Sequence, residues 1–97
     1  MKAYLISDVK PKDREAFETY RNIAADSIAH YGGKYLVRGG EVETFEGTQR
    51  ARTIVIVAFP SMEQARRWYR SPEYAHALKI RDQALERELI LVDGIGE

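Results

Sequence analysis

The most restrictive feature of this chain is the segment TIVIVAF at residues 53–59, in which every residue after Thr53 is apolar. Successive side chains of a β-strand point to opposite faces of the sheet, so this segment is apolar on both faces. A strand of this kind needs neighbours along both edges and cover on both faces. We therefore predict that residues 53–59 form an interior strand.

The residues before this segment predict a strand followed by a long helix. Residues 3–9 are rich in Tyr, Ile, Leu and Val, and the strand is expected to end at Pro11. Asp13 is a suitable N-cap, and Gly32 stands where a left-handed C-cap belongs. Between them, one helical face carries Phe17, Tyr20, Ala24, Ile28 and Tyr31.

The stretch YGGKYLVRGG at residues 31–40 places a short strand, residues 34–38, between two Gly-Gly pairs. We interpret the first pair as the end of the long helix and the second as a bend that takes the chain away from the sheet. Residues 41–47 are expected to continue in an extended conformation beyond that bend.

Two further helices and a last strand complete the pattern. Ser61 and Gln64 have the spacing of a capping box, and the helix they open has the apolar stripe Met62, Ala65, Trp68 and Tyr69. Ser71 followed by Pro72 predicts the start of a third helix. One face of that helix carries Tyr74, Ala77, Leu78, Arg81 and Leu85. Residues 88–92, ELILV, are predicted to form the last strand.

The order strand, helix, strand, strand, helix, strand is that of the α+β ferredoxin-like fold, and residues 1–97 form one domain of this kind. Helices cover only one face of such a sheet, whereas residues 53–59 are apolar on both. A second copy of the chain, packed sheet against sheet, would cover the other face and enlarge the small core. We therefore predict a homodimer.

The composition excludes several classes of partner. Fifteen basic and fifteen acidic residues give no net charge, so we expect no binding to nucleic acid or to a membrane surface. The chain has no cysteine and two distant histidines, so neither a metal nor a cofactor is predicted. The apolar run at the N-terminus is too short for a signal peptide or a membrane span, which favours the cytoplasm.

Three stretches carry a resemblance to a known family: YGGKYLVRGG, then IVIVAFPSMEQARRWYRSPEY, then the strand before DGI. In these the chain resembles dimeric α/β-barrel proteins, most closely the bacterial family known as domain of unknown function 1330. The resemblance covers nearly the whole chain and implies a ferredoxin-like dimer. It implies no particular reaction.

The segment AFPSMEQARRWYRSPEY is also similar, more loosely, to small cofactor-free quinone-forming monooxygenases and haem-degrading monooxygenases of the same superfamily. Trp68 matches a tryptophan of those enzymes. Leu78 stands where the haem degraders have a histidine ligand, and His76 lies on a different helical face. The resemblance therefore extends to a monooxygenase scaffold but not to a haem site.

Two arginines are candidate ligand-binding residues because each borders an apolar surface. Arg38 shares its predicted strand face with Leu36, and it either holds a carboxylate or enolate of a ligand or pairs with Glu41, Glu43 or Glu46. Arg81 lies within an apolar helical stripe. It either points into a cleft between helix and sheet, or extends to solvent or pairs with a carboxylate such as Asp8.

Trp68, Tyr74 and Tyr20 are the aromatic candidates. Aromatic residues at helical spacing usually pack in the core, but their polar tips would suit a flat aromatic ligand if they lined a cavity. Neither His30 nor His76 lies on an apolar face, so no general base is indicated.

These residues leave three hypotheses for the function. The first is a dimer that binds a small anionic or aromatic metabolite between helices and sheet. The second is an enzyme, either a cofactor-independent monooxygenase or an isomerase, and the third is a self-association module without a ligand.

Overall fold

The computed structural model of the protein describes residues 1–48 and 53–96. The helices are α1 (Arg14–His30), α2 (Met62–Tyr69) and α3 (Pro72–Ala84), and the strands are β1 (Ala3–Pro11), β2 (Lys34–Arg38), β3 (Thr53–Phe59) and β4 (Leu85–Asp93). Among the described residues, no helix is long and apolar enough to cross a membrane.

The four strands form one antiparallel sheet in the order β2-β3-β1-β4. This order confirms the ferredoxin-like fold. The prediction for residues 53–59 is also confirmed, because β3 lies between β2 and β1.

The helix starts follow the predicted capping residues. The side chains of Asp13, Ser61 and Ser71 accept hydrogen bonds from the backbone N–H groups three residues on. Only half of the predicted capping box forms, because the Gln64 side chain donates instead to the backbone oxygen of Tyr31, at 3.0 Å. This bond ties the start of α2 to the end of α1.

Both glycine pairs have the structural roles that the sequence predicts. Gly32, which follows the C-cap residue Tyr31 of α1, has φ +82°, and Gly39 has φ +78° where β2 ends. Such backbone angles are readily adopted only by glycine. At Gly33 the reason is close packing, since an added Cβ would lie 2.6 Å from Ile28 and 2.9 Å from Phe59.

Two predictions about segment ends were wrong. Residues 45–47, which were expected to be extended, form a bend in which Gly47 has φ +95°. The last strand starts at Leu85 instead of residue 88, so Leu85 is not part of the helical face. Antiparallel pairing with β1 extends as far as Pro11 opposite Leu85, and this tertiary pairing overrides the helical spacing.

The predicted shared face of Arg38 and Leu36 was also wrong. The register between β2 and β3 shifts between Tyr35 and Val37, which leaves Leu36 in a bulge. Beyond the bulge the alternation is reversed, so Arg38 and Tyr35 share the face of the sheet that is covered by helices. The Arg38 guanidinium carbon lies 4.5 Å from the centre of the Tyr35 ring.

The opposite face of the sheet is apolar, and none of the described helices covers it. The register places Val37, Ile56, Ile6 and Ile90 in one row across all four strands. The side chain of Ile90 is 56% exposed, and in the next row Val92 is 43% exposed. The helices all lie on the other face, where the core consists mainly of β1, β3 and α1 residues together with Trp68 and Tyr74.

We predict that Gly33→Ala destabilises the protein by about 1–3 kcal/mol, because the new methyl group would overlap a packed core. The measurement is urea unfolding at fixed protein concentration. Gly40→Ala is the matched control, since an added Cβ there has no heavy atom within 4 Å. Equal stability of the two variants would contradict the packing at Gly33.

Candidate ligand-binding site

A cavity of about 330 Å³ lies between the sheet and α1. Its floor is formed mainly by Leu5, Ser7 and Val9 of β1, Val55 and Val57 of β3 and Leu89 of β4. Its opposite wall consists of α1 residues, including Phe17 and Tyr20. The volume is at the lower end of the range for small-molecule sites, and the lining is largely apolar.

The charged groups of the cavity are all cationic. Arg21, Arg38 and Arg87 line it, and none of its described lining residues is Asp or Glu. Three guanidinium groups around an apolar, partly desolvated space create a positive potential. The cavity therefore favours an anionic occupant.

Arg87 forms the most closely bonded cluster at this cavity. Its Nη1 donates to the hydroxyl oxygen of Tyr20, and its Nη2 donates to that of Tyr74 at 2.5 Å. The two hydroxyl oxygens are 2.6 Å apart and share a further hydrogen bond. The planar guanidinium fork thus holds two tyrosines, one from α1 and one from α3.

The pKa values of Tyr20 and Arg87 follow from their burial and from their contacts with each other and with Tyr74. Burial raises the pKa of Tyr20 far above the ordinary value, and neighbouring Tyr74 adds to this rise while Arg87 opposes it. Burial by itself would lower the pKa of Arg87, but interactions with the two tyrosines outweigh that effect, and its pKa is raised. At neutral pH Tyr20 is therefore a neutral phenol beside the Arg87 cation.

One hydroxyl hydrogen of the two tyrosines is available to donate into the cavity. Each oxygen accepts from Arg87, and one hydroxyl donates to the other, so one hydroxyl hydrogen is left. Tyr74 is fully buried, whereas Tyr20 borders the cavity. If Tyr74 donates to Tyr20 and Tyr20 donates toward the cavity, no hydroxyl hydrogen is left buried without an acceptor.

Arg87 has no carboxylate partner among residues 1–48 and 53–96, although it is more than half buried. The hydroxyl oxygens of Tyr20 and Tyr74 satisfy two of its donors, but neither belongs to a carboxylate. A partly buried cation without a counter-charge is costly, and such groups are normally paired. Within the described residues, the charge of Arg87 is thus not balanced by a carboxylate.

The five candidate residues from the sequence have different surroundings. Tyr20 and Trp68 line the cavity, but the Trp68 indole N–H donates to Ser27 at 2.9 Å and is thus already used. Tyr74 does not line the cavity, but its hydroxyl is bonded to Tyr20 and Arg87, which do. Trp68 and Tyr74 also pack against each other, with ring centres 4.1 Å apart.

The two candidate arginines are separated by the structure. Arg38 lines the cavity, and within the described residues it makes no ion pair with Glu41, Glu43 or Glu46. Arg81 does not line this cavity, but it borders a second pocket together with Arg87 and Leu89. It pairs with its neighbour Asp82 at 3.2 Å, instead of with the predicted Asp8.

Sequence reasoning missed Arg87 because the last strand was predicted to begin at residue 88. With the strand starting at Leu85, simple alternation puts Arg87 on the same face as Leu89 and Leu91. An arginine in an otherwise apolar alternating row is the signal that could have identified it.

Ser7 is a second polar residue that the sequence reasoning did not use. Three serines are buried in the described chain, Ser7, Ser27 and Ser71. The hydroxyl of Ser27 donates to the backbone of Ala24, and that of Ser71 donates to the backbone of Trp68. The Ser7 hydroxyl is the one buried side-chain polar group of the described residues without a hydrogen-bond partner.

No group of three or more metal-ligating side chains comes together in the part of the chain that the structure describes. His30 lies on the surface, 3.7 Å from the carboxylate of Glu73. The chemistry that this site offers is thus hydrogen-bond donation and positive charge in an apolar cavity.

The fold and this cavity define a ferredoxin-like α+β protein with a cationic, largely apolar site between helix and sheet. The chain belongs to the family described as domain of unknown function (DUF1330), whose profile matches residues 2–95. A search of curated proteins found no match to the sequence.

Solved structures share the fold at low sequence identity. A protein of unknown function from Rhodopseudomonas palustris, RPA0582, has a TM-score of 0.80 and 21% identity, over 99% of this chain and 84% of that one. SnoaB from Streptomyces nogalater, described as a cofactor-independent oxygenase, has a TM-score of 0.72 and 12% identity, over 99% and 95%. A dimeric ferredoxin-like protein of unknown function from Thermobifida fusca has a TM-score of 0.63 and 13% identity, over 96% and 91%.

Removal of the hydroxyl should lower the free energy of unfolding at Ser27 but not at Ser7. Ser27→Ala is expected to lower the free energy of unfolding by about 1–3 kcal/mol, because it leaves the Trp68 N–H buried without an acceptor. Ser7→Ala should leave that free energy unchanged or raise it by up to about 1 kcal/mol, since no hydrogen bond is lost. Urea unfolding measures both, and an equal loss in the two variants would contradict the unpartnered state of Ser7.

Proposed function

We propose that this protein binds a small organic anion in the cavity between α1 and the sheet, with the carboxylate or enolate of the ligand at Arg87 and Tyr20. The observation that carries the proposal is the largely buried Arg87, which has two phenol partners but no carboxylate within the described residues. A carboxylate accepting from the remaining Arg87 donors and from Tyr20 would supply the counter-charge.

The body of the ligand should be apolar and flat. Apart from the arginines, the cavity is bordered mainly by aliphatic and aromatic side chains, including Phe17, Tyr35 and Trp68. An aromatic acid combines such a body with an anionic end, and it is small enough for a cavity of about 330 Å³. Arg38, which stacks on Tyr35, would add positive charge at the β2 side of the site.

The other hypotheses have weaker support in the contacts. Trp68 gives no support to the monooxygenase alternative, because its one polar group is bonded to Ser27 and the residue is 1% exposed. The ligand-free alternative expects both candidate arginines to be paired with carboxylates and no cavity to exist. Arg81 is paired in this way, but Arg38 is not paired with a described carboxylate, and the cavity is present.

Benzoate and its neutral analogue benzamide test the charge requirement. At a tenfold excess over its Kd, benzoate should stabilise the protein by about 1.4 kcal/mol and raise Tm by about 6 °C, whereas benzamide should have little effect. Arg87→Met should weaken benzoate binding by about tenfold to a hundredfold, because charge-assisted hydrogen bonds are lost. The measurements are thermal unfolding and titration calorimetry.

Arg81→Met is the control for this experiment, because Arg81 lies outside the cavity and is paired with Asp82. Arg87→Met should remain folded, since it removes an uncompensated charge and leaves the Tyr20–Tyr74 hydrogen bond in place. Equal binding of benzamide and benzoate, or benzoate binding that survives Arg87→Met, would refute the proposal. Failure of benzoate to bind would count against it as well.

We also propose that the protein is a homodimer in which the two sheets pack against each other. The support is the uncovered apolar row Val37, Ile56, Ile6 and Ile90, together with structural neighbours that are described as dimeric. A contiguous row of apolar side chains that are partly or largely exposed is typical of a protein interface. The cytoplasmic location and the absence of a nucleic-acid partner remain predictions from the sequence.

Ile90→Asp should dissociate this dimer, raising its dissociation constant at least about a hundredfold, because the new carboxylate would be buried without a partner. Ile90 is more than half exposed in the single chain, so the fold of each subunit should persist. Ala75→Asp, on the exposed side of α3, is the control and should remain dimeric. Sedimentation equilibrium at micromolar concentration is the measurement, and a monomeric native protein would refute the proposal.

A further inference from the structure

The side chain of Ser7 interrupts an apolar row at the centre of the cavity floor. The β1 residues on this face are Ala3, Leu5, Ser7 and Val9, and Ser7 is 6% exposed. Directly opposite it across the two neighbouring strands are Val55 and Leu89, both lining residues of the cavity. A valine or alanine would suit these surroundings better than a serine, if packing were the only requirement.

The other two buried serines show what a structural serine does in this protein. Ser27 accepts from the Trp68 indole and donates to the α1 backbone, and Ser71 caps α3 and donates to Trp68. Ser7 has no such bond in the described chain. A buried hydroxyl without a partner costs free energy, so its role is not to stabilise the unliganded fold.

The position of Ser7 relative to Arg87 suggests which group it would bind. Arg87 lies opposite Val9 on β4, so Ser7 is its diagonal neighbour across the β1–β4 pair. Diagonal neighbours of this kind are about 7 Å apart, within the span of one small molecule. No hydrogen bond from residues 1–48 or 53–96 holds the Ser7 hydroxyl in its present rotamer, so rotation about χ1 toward the cavity breaks none of theirs.

We infer that Ser7 is a second polar anchor of the cavity and that the ligand is an aromatic or similarly flat acid bearing one further hydroxyl or carbonyl oxygen. The inference rests on the proposed function, in which Arg87 and Tyr20 bind the acidic group. Ser7 both donates and accepts, so it suits either kind of oxygen. The site would select hydroxy or oxo acids over their unsubstituted analogues, because an unsubstituted ligand leaves the Ser7 hydroxyl unpaired.

Benzoate and its 2-, 3- and 4-hydroxy isomers test this selection by titration calorimetry. At least one isomer should bind the native protein about tenfold more tightly than benzoate, the gain expected of one new hydrogen bond in a buried site. In Ser7→Ala the ratio of the two affinities should fall to about one. In Ser27→Ala, which removes a buried hydroxyl outside the cavity lining, the ratio should be that of the native protein.

The possible results distinguish failure of the Ser7 inference from failure of the proposed anion site at Arg87. If benzoate binds but no hydroxy isomer binds more tightly, or if the advantage survives in Ser7→Ala, the inference about Ser7 is wrong and the anion site stands. If the ratio falls equally in Ser27→Ala, the effect is one of general packing and the inference is also wrong. If neither benzoate nor any isomer binds, both proposals are refuted.

Discussion

The antiparallel pairing of β1 with β3 on one side and β4 on the other is the constraint on which the rest of the structure depends. It runs from Ala3 to Val9 on the β3 side and from Ala3 to Pro11 on the β4 side. Because side chains alternate along each strand, this register determines which residues face the helices. It places Ser7 among the residues of the cavity floor and Arg87 beside it, and it aligns Ile6, Ile56 and Ile90 on the outer face.

The helix-side face combines a closely packed core with a space that is incompletely filled. Trp68, Tyr74 and Phe59 pack together near the ends of the strands, with ring centres 4.1 Å apart for Trp68–Tyr74 and 5.5 Å for Phe59–Trp68. Tyr74 joins this core to the cavity, because its hydroxyl bonds both Tyr20 and Arg87. The rigid core therefore fixes the direction of the donors, a requirement for selective binding in a small site.

The two faces of the sheet leave different groups without a partner among the described residues. On the outer face these groups are apolar side chains, which a second copy of the chain would cover. On the inner face they are the Arg87 guanidinium, which has no carboxylate partner, and the Ser7 hydroxyl, which has no hydrogen bond.

The sequence alone determined the fold, because its signals are local and repeat at regular spacing. The two-sided apolar segment 53–59, the N-caps Asp13, Ser61 and Ser71 and the glycine at the end of α1 were enough to predict the element order and the interior position of β3. It also identified Tyr20, Trp68 and Arg38, which do line the cavity.

Only the tertiary structure decided which polar groups meet. The bulge at Leu36 reverses the alternation of β2 and brings Arg38 over Tyr35, and pairing with β1 starts β4 early enough to place Arg87 beside two tyrosines. Among the described residues it likewise left the Ser7 hydroxyl without a hydrogen bond, whereas Ser27 and Ser71 each form hydrogen bonds. These outcomes depend on strand register and on residues up to 67 positions apart, as for Tyr20 and Arg87, and local spacing carries no information about either.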